Sequence, residues 1–530
     1  MTWSLPKTLS GLVDHARNEH GDLPGVVDGD VRLSFAELAD VIDETAAAMV
    51  AHGLQPGDAV AVWAPNIWEW VVAAFATFRA GGIVVPVNTR FRGQEAAYVL
   101  QKSKATMLFT VNGFLGTDYP ALLREAKADL PALRHTVILR GDIAEATVSL
   151  AEFKAKTDDV ARAERMERST CRSGDEVALV MFTSGTTGLP KGVMVAAEPL
   201  LRAFAFYGEC MGMQREERFL IISPFFHAFG FNGGIVPCLL YGTTIVPCAV
   251  FDLDQVLQSI AQEKINIMPG PPAIFQSLLN HARLEDYDLS SLRRCVTGAA
   301  TIPVEMVIQM RQRLGFEVVI TAFGMTETTG IATACRAEDD AETIATTSGR
   351  AIPGVEVRIV DDEGHELPSG EAGEIVVRGY TNMLGYLGDP EQTAETIDAD
   401  GWLHTGDIGV MNERGYIDIT DRKKDMFIVG GFNAYPAEIE RMMIEHPDIG
   451  QVSVIGIADE RLGEVGAAFV VVAPGSRIAP DEVIAWCRER MANYKVPRQV
   501  WMVEALPLNA SNKVLKIELR ERAKVLLGHG

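Results

Sequence analysis

Thr183-Ser184-Gly185-Thr186-Thr187-Gly188-Leu189-Pro190-Lys191-Gly192 lies between two apolar stretches, Val177 to Phe182 and the run that starts at Val193. A loop so rich in hydroxyls and glycines, closed by a lysine, can present N–H groups, hydroxyls and a cation to a polyanion. It is not a Walker A loop: Gly188 follows Gly185 too closely, and Gly192 stands where that motif needs a Ser or Thr for the metal. A Gly/Thr-rich hairpin with no ligand is the competing reading, and the rest of the chain decides between them.

Outward from the loop, short apolar runs alternate with helical patterns. Ala59 to Trp63, Ile83 to Val87 and Met107 to Val111 read as buried strands, and Ile67 to Arg79 has helical spacing. The pattern recurs at Phe219 to Ile222, Thr244 to Val246, Ile265 to Met268 and Val318 to Ile320, which predicts an α/β fold with mainly parallel sheets. After about residue 350 the texture changes. Val355 to Val360, Gly373 to Val377 and Tyr416 to Ile419, separated by turn residues, read as antiparallel strands of a small barrel-like unit. The charged run Asp421-Arg422-Lys423-Lys424-Asp425 then marks a domain boundary. Beyond it lie a strand near Met426 to Val429, a helix from Pro436 to His446, strands at Val452 to Ile457 and Ala467 to Val472, and a helix from Asp481 to Ala492.

Bulk properties narrow the class. At 530 residues the chain exceeds one core, on a prior of roughly 150 residues per domain. A net charge of −23 argues against a nucleic-acid partner, which calls for a basic face. Met1 to Ser10 lack the basic start and apolar core of a signal peptide, and no long uncharged apolar run predicts a membrane span. Seven cysteines without a CxxC pair fit reduced thiols in a cytoplasm.

Four further segments concentrate polar groups. Phe323-Gly324-Met325-Thr326-Glu327 follows a predicted strand, which puts Thr326 and Glu327 where ligands gather in open α/β sheets. A carboxylate beside a phosphate loop suits Mg²⁺; a solvated surface glutamate is the alternative. Gly401-Trp402-Leu403-His404-Thr405-Gly406-Asp407 ends in a predicted turn whose carboxylate could accept from a ribose diol. Gly430-Gly431 permits close backbone approach. Leu508 to Leu519 holds Lys513 and Lys516, which on their own would be ordinary surface lysines; if residues 513–519 are helical, the two share a side.

Together these segments resemble the acyl-adenylate-forming enzymes: acyl-CoA synthetases, aryl-CoA ligases, luciferases and peptide-synthetase adenylation domains. The resemblance covers almost the whole chain and keeps the order of the motifs. It implies a large AMP-binding domain of α/β subdomains with a small barrel-like subdomain at 1–421, a hinge linker at 422–425, and a small mobile α+β domain at 426–530 that carries a catalytic lysine. The implied reaction has two steps: a carboxylate attacks the α-phosphate of ATP to give acyl-AMP and pyrophosphate, and a thiol then cleaves the mixed anhydride. ATP, Mg²⁺ and coenzyme A are the implied cofactors.

By the same resemblance, Ser184, Thr186, Thr187 and Lys191 hold the β and γ phosphates, with Thr183, Gly185 and Gly188 completing the loop. Thr326 meets the α-phosphate and Glu327 the Mg²⁺. Asp407 and Arg422 grip the ribose hydroxyls. Gly298-Ala299-Ala300, Phe323 and Gly324 line the adenine slot; the family often has Tyr at the Phe323 position, so stacking survives here without a hydroxyl. Lys513 bridges the carboxylate and α-phosphate, although Asn512 stands where the family usually has Gly. Family members rotate the small domain between half-reactions, which makes Lys424 the hinge and Gly431 the floor of the pantetheine channel. A homodimer is the candidate assembly.

Pro224 to Phe231 bears on the acid. Amino-acid-activating relatives place an aspartate near here, whereas this run offers aromatics and His227, so an apolar acid is expected. His227 resembles the family's active-site histidine near the acyl carboxylate; a satisfied core histidine is the alternative. Gly233 and Gly234 leave room for a bulky acyl group. No carrier-protein segment follows residue 530, which points to free coenzyme A as acceptor. More narrowly, Pro224 to Phe231, Gly270-Pro271-Pro272, Cys295 to Ala300, Cys335 to Asp340 and Asp459 to Val470 resemble bacterial CoA ligases of steroid breakdown, which act on the propanoate chain of a two-ring hexahydroindanedione. Medium-chain or branched fatty acids come next, then aryl acids. A luciferase-like oxygenase and a silent acyl-binding protein are the readings from other classes.

Overall fold

The computed structural model describes residues 4–183, 190–298, 302–422, 425–429, 432–459, 461–508 and 514–528. Its backbone divides into two compact units, the first made of residues 1–357 and 377–403, the second of 358–376 and 404–530.

In the first unit, an eight-stranded sheet runs Gly385–Tyr386, Lys191–Ala196, Val177–Thr183, Ile83–Pro86, Ala59–Trp63, Met107–Thr110, His135–Ile138 and Val148–Ser149. From Val177–Thr183 to Val148–Ser149 the neighbours are parallel. This parallel sheet is covered on both faces, as its unbroken apolar strands require. Helix Trp68–Arg79 is buried along nearly its whole length because its sequence offers no polar face: Val71 to Ala76 is apolar throughout. A second sheet runs Arg218–Ile221, Thr244–Pro247, Pro24–Asp28 and Val31–Ser34. A third runs Arg294–Thr297, Val318–Phe323, Thr333–Ala334 and Arg350–Ala351.

The expected strand at Ile265 to Met268 is a single bridge. Ile267 alone pairs, with Phe219 on one side and Arg294 on the other. The Asn266 side chain accepts from Arg218 N, a donor of strand Arg218–Ile221, and donates to Ser291 O in the turn before Arg294–Thr297. Gly270-Pro271-Pro272 follows at once and starts a helix at Pro272.

The chain enters and leaves the second unit within strands Val355–Val360, Ala372–Gly379 and Leu403–Met411, which with Ile417–Arg422 form a four-stranded sheet. Farther on, Phe432–Ala434, Phe427–Val429, Gly463–Val472 and Ile449–Asp459 form another sheet, with Gln499–Met502 pairing parallel to Gly463–Val472. Helices Pro436–Met443, Pro480–Arg490 and Lys516–Leu526 complete an α+β arrangement. The expected helix at 513–519 starts later. Val514 bridges to Leu508, and Leu515 N donates to Pro507 O, so these two residues precede the helix, which starts at Lys516.

All seven cysteines are free. Burial pushes the thiols of Cys210 and Cys487 up to about 11 and those of Cys238, Cys295 and Cys335 upward as well. No helix among the described residues is long and apolar enough to cross a membrane.

Candidate active site

Strands Val177–Thr183 and Lys191–Ala196 pair antiparallel, and Thr183 sits opposite Lys191. Ser184, Gly185, Thr186, Thr187 and Gly188 lie outside the described residues, as do Ala299, Ala300, Lys424, Gly431 and Lys513. Thr183 and Lys191 are half-buried. The Lys191 ammonium donates to Gln392 Oε1 at 2.6 Å and stands 5.2 Å from the centre of the Tyr386 ring.

The second motif follows strand Val318–Phe323 and turns into the short 3-10 helix Thr326–Thr328. Thr329 then takes a left-handed conformation, φ 58°, which its neighbours hold: its hydroxyl donates to Thr381 O and its carbonyl accepts from Asn232 Nδ2. Gly324 admits no side chain, because a Cβ there would collide with the backbone of Gly330 and Ile331. Glu327 is 7 % exposed, so the reading as a solvated surface glutamate falls. Its Oε1 accepts from the Tyr386 hydroxyl at 2.9 Å, and its backbone carbonyl accepts from Met383 N. Burial, and after it the Glu327 charge, push the Tyr386 phenol well above its ordinary range, so it acts as a donor. A buried carboxylate linked through one ring to the loop lysine is a donor set that suits Mg²⁺, which takes few protein ligands alongside phosphate oxygens.

Gly298 ends strand Arg294–Thr297, which pairs parallel with the strand carrying Phe323. A Cβ on Gly298 would stand 3.5 Å from Ala322 O. The structure thus brings Gly298 and the mostly buried Phe323 to adjacent strand ends.

His227 is exposed, not a core histidine; it caps the turn Ala228–Gly230, with Nδ1 accepting from Phe229 N. The chain then forms a π-helical turn, Phe231–Ile235, every residue of which is buried. Such turns insert an extra residue and recur at functional sites. A Cβ on Gly233 would meet Phe229 at 3.2 Å and Phe204 at 3.5 Å, whereas one on Gly234 would press on Ile221 at 2.9 Å. Gly330, with φ 102°, directly follows the Thr326–Thr329 turn, and a Cβ there would meet Phe204, Ala228 and Asn232. Small and aromatic residues from four segments therefore converge behind the motif.

In the second unit, Asp407 is 7 % exposed and lies within strand Leu403–Met411, not in the expected turn. Gly406 supplies the turn-like φ of 70° inside that strand, its N–H held by Glu374 Oε1. Asp407 stands directly opposite Arg422 across the antiparallel pair. Lys516 is not an ordinary surface lysine. It is 17 % exposed and pairs with Glu440 Oε1 at 3.2 Å.

Tyr386, Gln392, Asn232 and Thr329 escaped the sequence reading. For the first two a signal existed: Gly385-Tyr386 precedes the helix-capping Asp389-Pro390, a polar cluster with no other evident task. Nothing in the sequence marked Asn232.

A family model described as AMP-binding enzyme matches residues 13–387, and one described as AMP-binding enzyme C-terminal domain matches 438–513. The chain belongs to the AMP-binding enzymes and is an acid–thiol ligase. Among curated proteins it is 49 % identical over 522 residues, 98 % of this chain and 99 % of the other, to the 3-[(3aS,4S,7aS)-7a-methyl-1,5-dioxo-octahydro-1H-inden-4-yl]propanoyl:CoA ligase of Rhodococcus jostii (strain RHA1). It is 44 % identical to the ligase of the same name from Mycobacterium tuberculosis (strain ATCC 25618 / H37Rv), over 97 % of this chain and 99 % of that one. Among solved structures, the anthranilate CoA ligase AuaEII in complex with anthranoyl-AMP superposes with a TM-score of 0.88 at 26 % identity, covering 99 % of each chain.

Proposed function

We propose that this ligase activates the propanoate side chain of a methyl-dioxo-octahydroindene, a two-ring remnant of steroid breakdown, and passes it to coenzyme A in the cytoplasm. The observation that carries the reading is the convergence of Gly233, Gly330, Phe204, Phe229 and Ala228 behind the Thr326–Thr329 turn. That cluster is apolar, close-packed and made of glycines and aromatics from several elements, a composition that suits a compact ring system better than a thin chain. The two ligases named above, identical at 49 % and 44 %, support the same acid.

Adenylation brings anions together, so positioning and charge neutralisation carry most of the rate. The backbone and hydroxyls of 183–188 hold the β and γ phosphates, with Lys191 as the fixed cation. Thr326 donates to the α-phosphate. Glu327 would hold Mg²⁺, which when bound spreads the phosphate charge. Phe323 and Gly298 to Ala300 flank the adenine, and Asp407 with Arg422 holds the ribose diol. Lys513 places its ammonium between the acid's carboxylate and the α-phosphate. His227 orients the acyl carboxylate on the thiol's approach. The domain that starts at 426 turns about Lys424 between the half-reactions and brings Gly431 to the pantetheine channel.

Pyrophosphate release over a panel of acids tests the substrate. The bicyclic propanoate should give the highest kcat/KM; octanoate or benzoate exceeding it would overturn the proposal. Lys513→Ala should slow acyl-adenylate formation by at least about a hundredfold, given several kcal/mol per well-placed charge. Transfer from supplied acyl-adenylate to coenzyme A should stay largely intact in that variant. Equal loss in both half-reactions would remove the two-orientation mechanism.

A further inference from the structure

Tyr386 touches both charged ends of the phosphate machinery. It sits on the two-residue strand Gly385–Tyr386, which pairs antiparallel with the arm of the hairpin that begins at Lys191: Tyr386 lies opposite Val193, and Leu387 N donates to Gly192 O. The ring is 7 % exposed. Its hydroxyl donates to Glu327 Oε1 at 2.9 Å, and the Lys191 ammonium lies 5.2 Å from the ring centre. The backbone of Tyr386 is fixed in turn, since its N–H donates to Thr393 Oγ1, which also donates to Asp389 O.

From this geometry we infer that Tyr386 is a positioning residue for the metal carboxylate: it fixes one oxygen of Glu327 and leaves the other as the single protein ligand for Mg²⁺. The inference rests on Glu327 being the metal carboxylate. A buried carboxylate with two unfixed oxygens can rotate between mono- and bidentate arrangements, and Mg²⁺ demands near-ideal octahedral geometry. A charge-assisted hydrogen bond to one oxygen removes that freedom. No partner for the second oxygen is found among the described residues. Groups that orient metal ligands in this way typically change metal affinity about 10–100-fold when removed.

Tyr386→Phe removes the hydroxyl and keeps the ring under Lys191. The readout is binding rather than turnover: Mn²⁺ bound by the full-length enzyme in the presence of ATP and without acid, followed by electron paramagnetic resonance, with the thermal transition and circular dichroism of each variant as the check on folding. The parent, Tyr386→Phe, Glu327→Gln and the double variant are compared. Tyr386→Phe should weaken Mn²⁺ about tenfold, and excess Mg²⁺ should restore adenylation, which a general packing defect would not allow. The double variant should be no weaker than Glu327→Gln alone, because the hydroxyl acts only through the carboxylate. Unchanged Mn²⁺ affinity in Tyr386→Phe, with a clear loss in Glu327→Gln, would overturn the positioning role and leave the metal assignment standing. Unchanged affinity in Glu327→Gln would overturn the metal assignment itself. Loss in Tyr386→Phe that adds fully to the loss in Glu327→Gln would show that the hydroxyl acts elsewhere.

Discussion

Lys516→Met should destabilise the second unit while sparing the chemistry of the molecules that fold. Lys516 is the first residue of helix Lys516–Leu526, and its ammonium meets Glu440 on helix Pro436–Met443 at 3.2 Å. Glu440 Oε1 also accepts from Val454 N at 2.7 Å. Burial raises the Glu440 carboxyl above its ordinary value, and Lys516 with the Val454 N–H opposes that rise. At 3.2 Å the gross attraction is about 5 kcal/mol at an effective dielectric of about 20. Stripping one partner from a fully buried pair costs about 3–5 kcal/mol. Here each side chain keeps roughly a fifth of its exposure, at 17 % and 23 %, and Glu440 keeps its backbone donor, so about 2 kcal/mol is expected. With a urea slope of about 2 kcal/mol/M, the midpoint of this unit should fall by about 1 M. Glu440→Gln added to Lys516→Met should recover roughly 1 kcal/mol, because the amide oxygen still accepts from Val454 without leaving a stranded charge. Urea denaturation of the four proteins gives the cycle, and both half-reactions are measured per folded molecule, where rates should stay within about twofold. A Lys516→Met protein as stable as the parent, or a double variant no better than the single, would refute the anchoring argument.

Gly233→Leu should reject bulky cyclic acids more than short linear ones, since any side chain there presses on Phe229 and Phe204; equal loss in kcat/KM across the panel would place the residue away from the acyl group. Lys424→Pro fixes φ at the expected hinge and should affect adenylation and thioester formation unequally, whereas uniform slowing in the two half-reaction assays would count against rotation there. Acidification should lower the denaturation midpoint through His52 and His135. Burial lowers both imidazoles from the ordinary 6.5; a backbone hydrogen bond at each opposes the shift, while His135 and Lys156 add to it at His52, and Arg134 and Lys156 at His135. The unfolded chain therefore takes up more protons as pH falls below about 6.5, and stability present above that value is lost. His52→Phe, which can keep the stack on Phe153, should show a smaller difference between pH 7.5 and pH 5.5 in thermal scans; an unchanged difference would rule out this pair as the source.

Where the chain's own neighbours decide the conformation, the sequence was a good guide. Ala59 to Trp63, Thr244 to Val246 and Val355 to Val360 are strands as read, because short runs that are apolar, or alternate as Val355 to Val360 does, leave few alternatives when breakers bound them. The α/β class with a second α+β unit followed from the same signals. Ile265 to Met268 carried a similar pattern and is reduced to a bridge at Ile267 with both neighbouring strands, while the Asn266 side chain takes the Arg218 N–H and the Ser291 carbonyl. Asp407 was read as a turn residue from Gly406, but a glycine at positive φ can sit within a strand when a partner such as Glu374 holds its N–H. At the site, the Thr183–Lys191 hairpin and the strand-end position of Thr326 were legible from local pattern. The Tyr386–Glu327 bond spans 59 residues, and the Asn232–Thr329 bond 97, so no local pattern could announce them.

The burial of the cysteines bears on what becomes of a reactive intermediate. An acyl-adenylate is an electrophile, and the thiolate is the form of cysteine that would capture it. Cys210, Cys238, Cys295, Cys335 and Cys487 are enclosed, and their thiols are held in the protonated state far above neutral pH. The enzyme thus carries few internal competitors for the thiol that arrives from outside, and self-acylation is suppressed by placement rather than by omission of the residue. Cys171 alone is exposed, while Cys248 is half-buried with its thiol pushed up to about 11, so a maleimide dye under native conditions should attach first at Cys171 and give a site-selective reporter without mutagenesis.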